Sequence, residues 1–332
     1  MKPDRIQNPN SVERAVIEAK IAAGYDVILQ FDKPSYTPEL LRKINNLCGE
    51  WGKDIEVRFY GHKFDATNLL FLPDVATLSI DCLIEATNLS NLASLVNLRR
   101  LSLGIYKLDD TNILKSLHLE NLEKLIIGES WEANFDLAPL QACKNISELY
   151  VEKHTKNIDS LAMLPSLKSL TLRSISKKQS LNFVSKIQSL KRLKVILGGR
   201  TDISEIQHSF LEELEIIRVM GFCGLDSISA FPSLRSLAVE DQLRLEKIRF
   251  TQASQNIQTI RIFNCKNLVY LEGLNFLTNL KLIHIGMTAI EIDSILQQCL
   301  PSSLKAFGFY TGKKKENAIA RAKLDAHGYQ EH

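Results

Sequence analysis

The sequence lacks the short motifs that mark most catalytic and nucleotide-binding sites. It has no phosphate-binding P-loop, no GxGxxG, no HExxH and no GxSxG. The stretch LGGRT at 197–201 is glycine-rich but has no Lys-Ser or Lys-Thr pair, so we interpret it as a tight turn. The histidines show no close ligand spacing, since they stand at 62, 118, 154, 208, 284, 327 and 332. We therefore predict no catalytic residues, no cofactor and no metal. A metal site assembled from distant segments stays an open alternative.

The six cysteines are scattered, and no two of them are closer than 34 residues. This spacing excludes a CxxC zinc ribbon or redox pair and favours reduced thiols in a cytoplasmic protein. We interpret each cysteine as a small buried apolar residue, above all Cys143 and Cys299.

Long apolar runs are also missing. No stretch of about 18 apolar residues suggests a transmembrane helix. The first residues, MKPDRIQNPNSVERAVIEAK, contain no apolar core of a secretory signal, which agrees with the expected cytoplasmic location.

An excess of one charge sign is missing as well. The 41 basic and 38 acidic residues leave a net charge of +3. Proteins that bind nucleic acid or a membrane surface usually carry a clear basic excess, so we expect neither partner. With 45% hydrophobic and 24% charged residues, the chain has the composition of an ordinary folded protein.

What the sequence does contain is a repeat. The pattern L-x-x-L-x-L recurs in phase about every 23 residues, which predicts strands with one buried face joined by short return segments. Units of this size must stack on their neighbours to bury a core. The eleven copies are VATLSI from Val75, LRRLSL from Leu98, LEKLII from Leu122, ISELYV from Ile146, LKSLTL from Leu167, LKRLKV from Leu190, LEELEI from Leu211, LRSLAV from Leu234, IQTIRI from Ile257, LKLIHI from Leu280 and LKAFGF from Leu304.

On these motifs the chain resembles the leucine-rich-repeat family, in its short-repeat class of about 22–24 residues. The resemblance implies an α/β fold: a curved, right-handed solenoid with a parallel sheet on its concave face. The convex segments would be short 3₁₀, helical or irregular pieces. The family consensus places Asn or Cys at the ninth position of the repeat, where its side chain caps loop backbone groups. Cys265 keeps this feature and Thr288 is a reasonable substitute.

The two ends differ from the repeats, and we predict three regions. Residues 1–54 form an N-terminal α/β cap, 55–311 the solenoid of about 11–12 repeats, and 312–332 a C-terminal capping helix or tail. In the first region we expect one helix with Ser11 as its N-cap. A second helix is expected to begin at Thr37-Pro38, with Pro38 at the favoured first position.

Function in this architecture is expected on the outward positions of the concave strands, which are the third, fifth and seventh of each repeat. These columns hold seven Arg or Lys and seven Asp or Glu, so they do not form the basic stripe of a nucleic-acid groove. The candidate partner-binding residues are Arg58, Tyr60, Tyr150, Arg173, Arg192, Lys194, Glu213, Glu215, Arg261, Phe263, His284 and Tyr310.

Two groups within this set have competing interpretations. Arg192 with Glu213, and Lys194 with Glu215, lie on neighbouring strands about 4.8 Å apart and can neutralise each other instead of meeting a partner. Arg261, Phe263, His284 and Tyr310 are residue types that anchor protein interfaces. The C-terminal tail could instead cover the aromatic members of this second group.

The hypothesis that follows is a non-catalytic protein-binding module that grips another protein with its concave sheet. It could act as an adaptor, a regulator, or an inhibitor or immunity-like protein, and we expect a monomer. The alternative is a small-molecule binder or enzyme with a dispersed site, for which Arg261, His284 and Tyr310 are the candidates.

Overall fold

The computed structural model describes residues 2–108, 110, 112–131 and 133–331, and the chain divides into two compact units, Met1–Leu167 and Lys168–His332. The first and last residues of the predicted cap and tail, Met1 and His332, lie outside the described residues. The predicted boundaries at 54/55 and 311/312 are a different division, and they stay a prediction.

Unit 1 is built on parallel strands that pair in the order of the sequence. Its regular elements are β1 (Lys2–Gln7), α1 (Arg14–Ala22), β2 (Tyr25–Phe31), α2 (Pro38–Trp51), β3 (Ile55–Asp65), β4 (Thr77–Thr87), β5 (Arg100–Lys107), β6 (Lys124–Ile127) and β7 (Glu148–Glu152).

The predicted start is confirmed for one helix of unit 1 and wrong for the other. The hydroxyl of Thr37 accepts a hydrogen bond from the backbone N–H of Leu40, and Pro38 occupies the first turn of α2 as predicted. Helix α1 is shorter than predicted, because it begins at Arg14 with Glu13 at the N-cap position instead of Ser11.

Strand β1 has no counterpart among the predicted elements. The segment KPDRIQ contains three charged residues and a proline, so it lacks the apolar alternation that identifies a strand. It is a strand because β2 supplies a parallel partner, with Ile6 opposite Leu29. Its exposed edge carries Lys2 and Pro3, residue types that discourage further strand pairing.

Unit 2 continues the same design. Its elements are β8 (Ser169–Arg173), β9 (Arg192–Ile196), β10 (Glu213–Ile217), β11 (Ser236–Glu240), β12 (Lys247–Arg249), β13 (Thr259–Phe263), β14 (Tyr270–Glu272), β15 (Leu282–Gly286), α3 (Ile292–Leu296), β16 (Ala306–Tyr310) and α4 (Lys314–Ala326). Strands β12 and β14 lie in the return segments and pair with each other as a small second sheet.

The predicted repeat is the packing unit of the sheet. Equivalent residues of neighbouring strands in the main sheet stand directly opposite one another. One buried row crosses β10, β11, β13, β15 and β16 and consists of Leu214, Leu237, Ile260, Ile283 and Phe307. Such alignment places every apolar rung on the same face. Many return segments contain 3₁₀ turns, as predicted, for example Ile158–Met163. The chain therefore has the fold of a leucine-rich-repeat solenoid protein.

The cysteines follow the prediction only in part. Cys143 and Cys265 are buried free thiols, as expected, but Cys299 is exposed. The prediction for Cys299 was wrong because α3 ends at Leu296. Its buried residues Ile292 and Ile295 therefore do not continue in helical phase to Cys299. Cys82 and Cys223 are exposed as well.

Among the residues that the structure describes, no helix is long and apolar enough to cross a membrane.

Candidate interaction site

The N-terminal candidates, Arg58 and Tyr60, belong to a polar network on the outward face of unit 1. The Arg58 Nε donates to Asp81 Oδ1 at 2.7 Å, and the guanidinium lies over the Tyr60 ring, 4.7 Å from its centroid. The Tyr60 hydroxyl donates to Gln7 Oε1 at 2.7 Å, which ties β3 to β1. Both candidates are thus held in place by neighbours.

A cavity of about 370 Å³ opens on this face of unit 1. Its floor is made of short side chains, including the buried Thr77 and Ser79. Charged side chains surround the floor, and those that line the cavity are Arg5, Glu56, Arg58, Asp81, Arg100 and Lys124.

The last candidate of unit 1, Tyr150, lies on β7. Its hydroxyl donates to Glu152 Oε2 at 3.1 Å. Glu148, two residues before Tyr150 on β7, forms an ion pair with Lys124 of β6 at 2.9 Å. Side chains of this region therefore satisfy one another across and along strands.

The charged candidates of β9 and β10 behave in two ways. Lys194 and Glu215 stand directly opposite each other and form an ion pair at 2.7 Å. Arg192 and Glu213 are aligned in the same manner, yet no ion pair joins them within the described part of the chain. Self-neutralisation thus accounts for one of the two pairs. The candidate Arg173 lies half-buried on β8.

The C-terminal candidates come together on three neighbouring strands. Arg261 of β13 stands opposite His284 of β15, and Phe263 stands opposite Gly286, which is followed by Tyr310 of β16. Phe263 and Tyr310 remain 43% and 46% exposed, so the C-terminal tail does not bury them.

Gly286 gives Phe263 its position. A Cβ atom on this glycine would lie 2.5 Å from Cδ2 and 2.6 Å from Cε2 of the Phe263 ring. One edge of the ring therefore occupies the space that a side chain at position 286 would fill. The φ of Gly286 lies outside the left-handed region, so the glycine is needed for this contact and not for its backbone conformation.

A second cavity, of about 350 Å³, opens beside Phe263 in unit 2. The small side chains of Ser236 and Ala238 form its floor and leave the space above them open. Three carboxylates, Glu213, Glu215 and Glu240, line it, together with Arg261, Phe263 and His284. Tyr310 is not part of its lining, so the three residues proposed for a small-molecule site do not all meet there.

Metal binding was left open by the sequence. Within the ranges that the structure describes, no group of three or more His, Cys, Asp or Glu side chains is arranged to hold a metal ion. His332 lies outside those ranges.

Sequence reasoning missed one aromatic pair. Trp131 is 64% exposed, and its ring centroid lies 5.3 Å from that of Tyr106. Trp131 follows β6, outside the repeat positions that were read as outward-facing. Tyr106 lies near the end of β5. The signal in the sequence was that the two aromatic residues stand 25 positions apart, close to one repeat, but the loop conformation decides whether they meet.

Comparisons with known proteins found similar solved structures but no match among family models or curated proteins. No protein-family model matches the chain, and no curated protein matches it. Among solved structures it is similar to internalin C2 from Listeria monocytogenes, with 17% identity, a TM-score of 0.35, and coverage of 74% of this chain and 83% of that one. It is also similar to a leucine-rich-repeat protein from Leptospira interrogans, with 13% identity, a TM-score of 0.46, and coverage of 98% and 93%.

Proposed function

We propose that the protein is a non-catalytic binding module that holds another protein on the outward face of β10, β11, β13, β15 and β16 in unit 2. The observation that carries this proposal is the pair of exposed aromatic side chains, Phe263 and Tyr310, separated by Gly286. Large aromatic side chains with an adjacent arginine are the residue types that contribute most to protein interfaces.

The charges around Phe263 support the same proposal. Arg261 forms no ion pair among the described residues, so its guanidinium is available to a carboxylate of the partner. Glu240 of β11 stands directly opposite Phe263, and Glu213 lines the cavity from β10. A partner surface with a basic side chain flanked by an apolar group fits this combination.

The proposal also covers the location of the protein, the class of its partner and its oligomeric state. Three cysteines, Cys82, Cys223 and Cys299, are exposed free thiols, which suits a reducing, cytoplasmic location. The balanced charge of +3 favours a protein partner over nucleic acid or a membrane surface. We propose that the chain acts as a monomer in an adaptor, regulatory or inhibitory role.

The test begins with affinity purification of the tagged protein from cells that express it, followed by mass spectrometry. The double variant Arg261→Ala/Phe263→Ala is then compared with Arg244→Ala/Tyr270→Ala. The control pair is also an exposed arginine and an exposed aromatic residue of unit 2, but neither residue lines the cavity beside Phe263. We expect the first variant to lose the partner and the control to retain it. Equal recovery with both variants would move the site elsewhere.

A small-molecule site is the second candidate, and the cavity of about 350 Å³ is the observation that favours it. Its volume lies at the lower end of the range for small-ligand pockets. A defined metabolite that co-purifies with the unchanged protein, and is lost with Arg261→Ala, would favour this candidate over a protein partner.

A further inference from the structure

The cavity of unit 1 has a charge imbalance that the proposed function does not use. Four cationic side chains and two acidic ones line it. Two of the cations are accounted for, because Arg58 pairs with Asp81 and Lys124 pairs with Glu148. What remains is Arg5, Arg100 and the carboxylate of Glu56, which leaves one positive charge in excess.

Arg5 and Arg100 face this cavity from opposite sides. They stand on β1 and β5, four strand spacings apart, which is about 19 Å between the backbones. Neither guanidinium has an ion-pair partner in the part of the chain that the structure describes. Arg100 is half-buried, and a charged group removed from water interacts more strongly with an opposite charge than an exposed one does.

The floor between them offers hydroxyl groups. Thr77 stands directly opposite Arg100, and Ser102 follows Arg100 on the same face of β5. Ser79 donates to Glu56 Oε1 at 2.6 Å, so this carboxylate is held against the floor instead of reaching for Arg100. The Thr77 and Ser102 hydroxyls already donate, but only over long bonds, to the carbonyl oxygen of Lys53 at 3.4 Å and to Asp81 Oδ2 at 3.5 Å. A ligand oxygen near Arg100 would find a guanidinium fork and would compete with one of these weak acceptors for a hydroxyl.

We propose that this cavity binds a carboxylate group, with Arg100 as its main partner and Arg5 as a second cationic contact. The single excess positive charge matches one carboxylate better than a phosphate group, which carries nearly two negative charges at neutral pH. The carboxylate could belong to a free organic acid or to an acidic side chain of a protein segment. This site lies in unit 1 and does not depend on the proposed use of unit 2.

Isothermal titration of the full chain tests the proposal with three probes: butyrate, an acetylated and amidated Gly-Glu-Gly peptide, and inorganic phosphate. We expect Arg100→Gln to lower carboxylate affinity by about tenfold or more. Arg5→Gln, on an exposed edge strand, should lower it by a smaller factor. The control Arg244→Gln makes the same charge change in unit 2 and should leave it unchanged.

The probes also separate the two sources of the carboxylate. Binding of butyrate alone supports a free organic acid as the ligand, and binding of the peptide supports an acidic side chain. The proposal is overturned if neither carboxylate binds, if both arginine variants bind as the unchanged protein does, or if phosphate binds more tightly with the same dependence on Arg100. Urea unfolding of each variant confirms that a loss of binding is not a loss of fold.

Discussion

At the scale of single residues, one hydrogen bond recurs at the ninth position of the repeat. Cys265, whose thiol lies 3.8 Å from the carbonyl oxygen of Val239, was expected to fill this place. Gln242 does the same with Ile216 at 3.1 Å. The acceptor stands 26 residues earlier in both repeats. The family consensus pointed to Cys265 and, as a substitute, to Thr288, but not to Gln242, although this glutamine reaches the equivalent oxygen of its own repeat.

Histidine fills the ninth position in another repeat. Nε2 of the buried His154 lies 3.0 Å from the carbonyl oxygen of Gly128, again 26 residues earlier, and Nδ1 accepts from the N–H of Phe135 at 3.2 Å. A protonated ring could not accept the second bond. Burial lowers the pKa of His154 below its ordinary value of 6.5, although the Gly128 bond opposes this shift.

This arrangement predicts that acid destabilises the protein before its carboxylates titrate. Below about pH 6.5 the unfolded chain binds a proton at His154 that the folded chain does not, so stability falls as the pH falls. His208, whose pKa is also lowered mainly by burial, acts in the same direction. Urea unfolding between pH 7.5 and 5.5 measures the slope. His154→Gln should reduce it, and an unchanged slope would contradict a neutral buried ring.

At the scale of elements, the strands of the solenoid end in a common way. The residue after the strand, at the eighth position, has a left-handed backbone in repeat after repeat, with φ of 57° at Asp241 and 54° at Asn264. Asp and Asn tolerate this conformation. Leu197 and Met287 adopt it as well, although it costs such residues about 1–2 kcal/mol. Stacking against neighbouring repeats therefore overrides local preference.

Gly286 of β15 determines the position of the Phe263 side chain on the neighbouring strand β13. We expect Gly286→Ala to displace the Phe263 ring, because the new Cβ would lie 2.5 Å from it, and so to weaken partner binding. Stability should change by no more than about 1 kcal/mol, since alanine is favoured over glycine within strands and the exposed ring can turn aside. Pull-down recovery and urea unfolding measure the two effects separately.

The matched control is Gly224→Ala. A Cβ at Gly224 would meet its nearest neighbour, Asp202, at 3.6 Å, which is an ordinary contact. If both glycine variants bind the partner equally well, the position of Phe263 does not matter for binding.

At the scale of the whole molecule, each unit carries a cavity on its outward-facing strands, and the two cavities differ in charge. Arginines without an ion-pair partner give the cavity of unit 1 a positive excess, whereas three carboxylates and one arginine line the cavity of unit 2. A net charge near zero therefore conceals two local fields of opposite sign. Composition alone argued only against a uniformly basic surface.

The C-terminal end of the chain is the place to test capping. Helix α4 buries Leu324, and Arg321 of the same helix donates through Nη1 to the carbonyl oxygen of Phe307 at 3.2 Å. We expect Leu324→Asp to destabilise unit 2 by at least about 3 kcal/mol, because it places a charge among apolar groups. Ile319→Asp, at an exposed position of α4, should change stability by about 0.5 kcal/mol or less. Urea unfolding and limited proteolysis distinguish the two.

Equal stability of these two variants would contradict the capping role of α4, which is so far a prediction.

The sequence by itself determined the repeat, the buried rungs such as Leu237 and Ile260, and the outward direction of Arg261 and Phe263, because strand alternation depends only on local spacing. Tertiary structure alone decided which outward side chains pair. Lys194 reaches Glu215 while Arg192 and Glu213 do not meet, although all four share one alignment. It also decided that the polar segment Lys2–Gln7 is a strand, since its partner β2 lies elsewhere in the chain. Contacts between strands follow from side-chain conformations and neighbours more than 20 residues away, which no local pattern encodes.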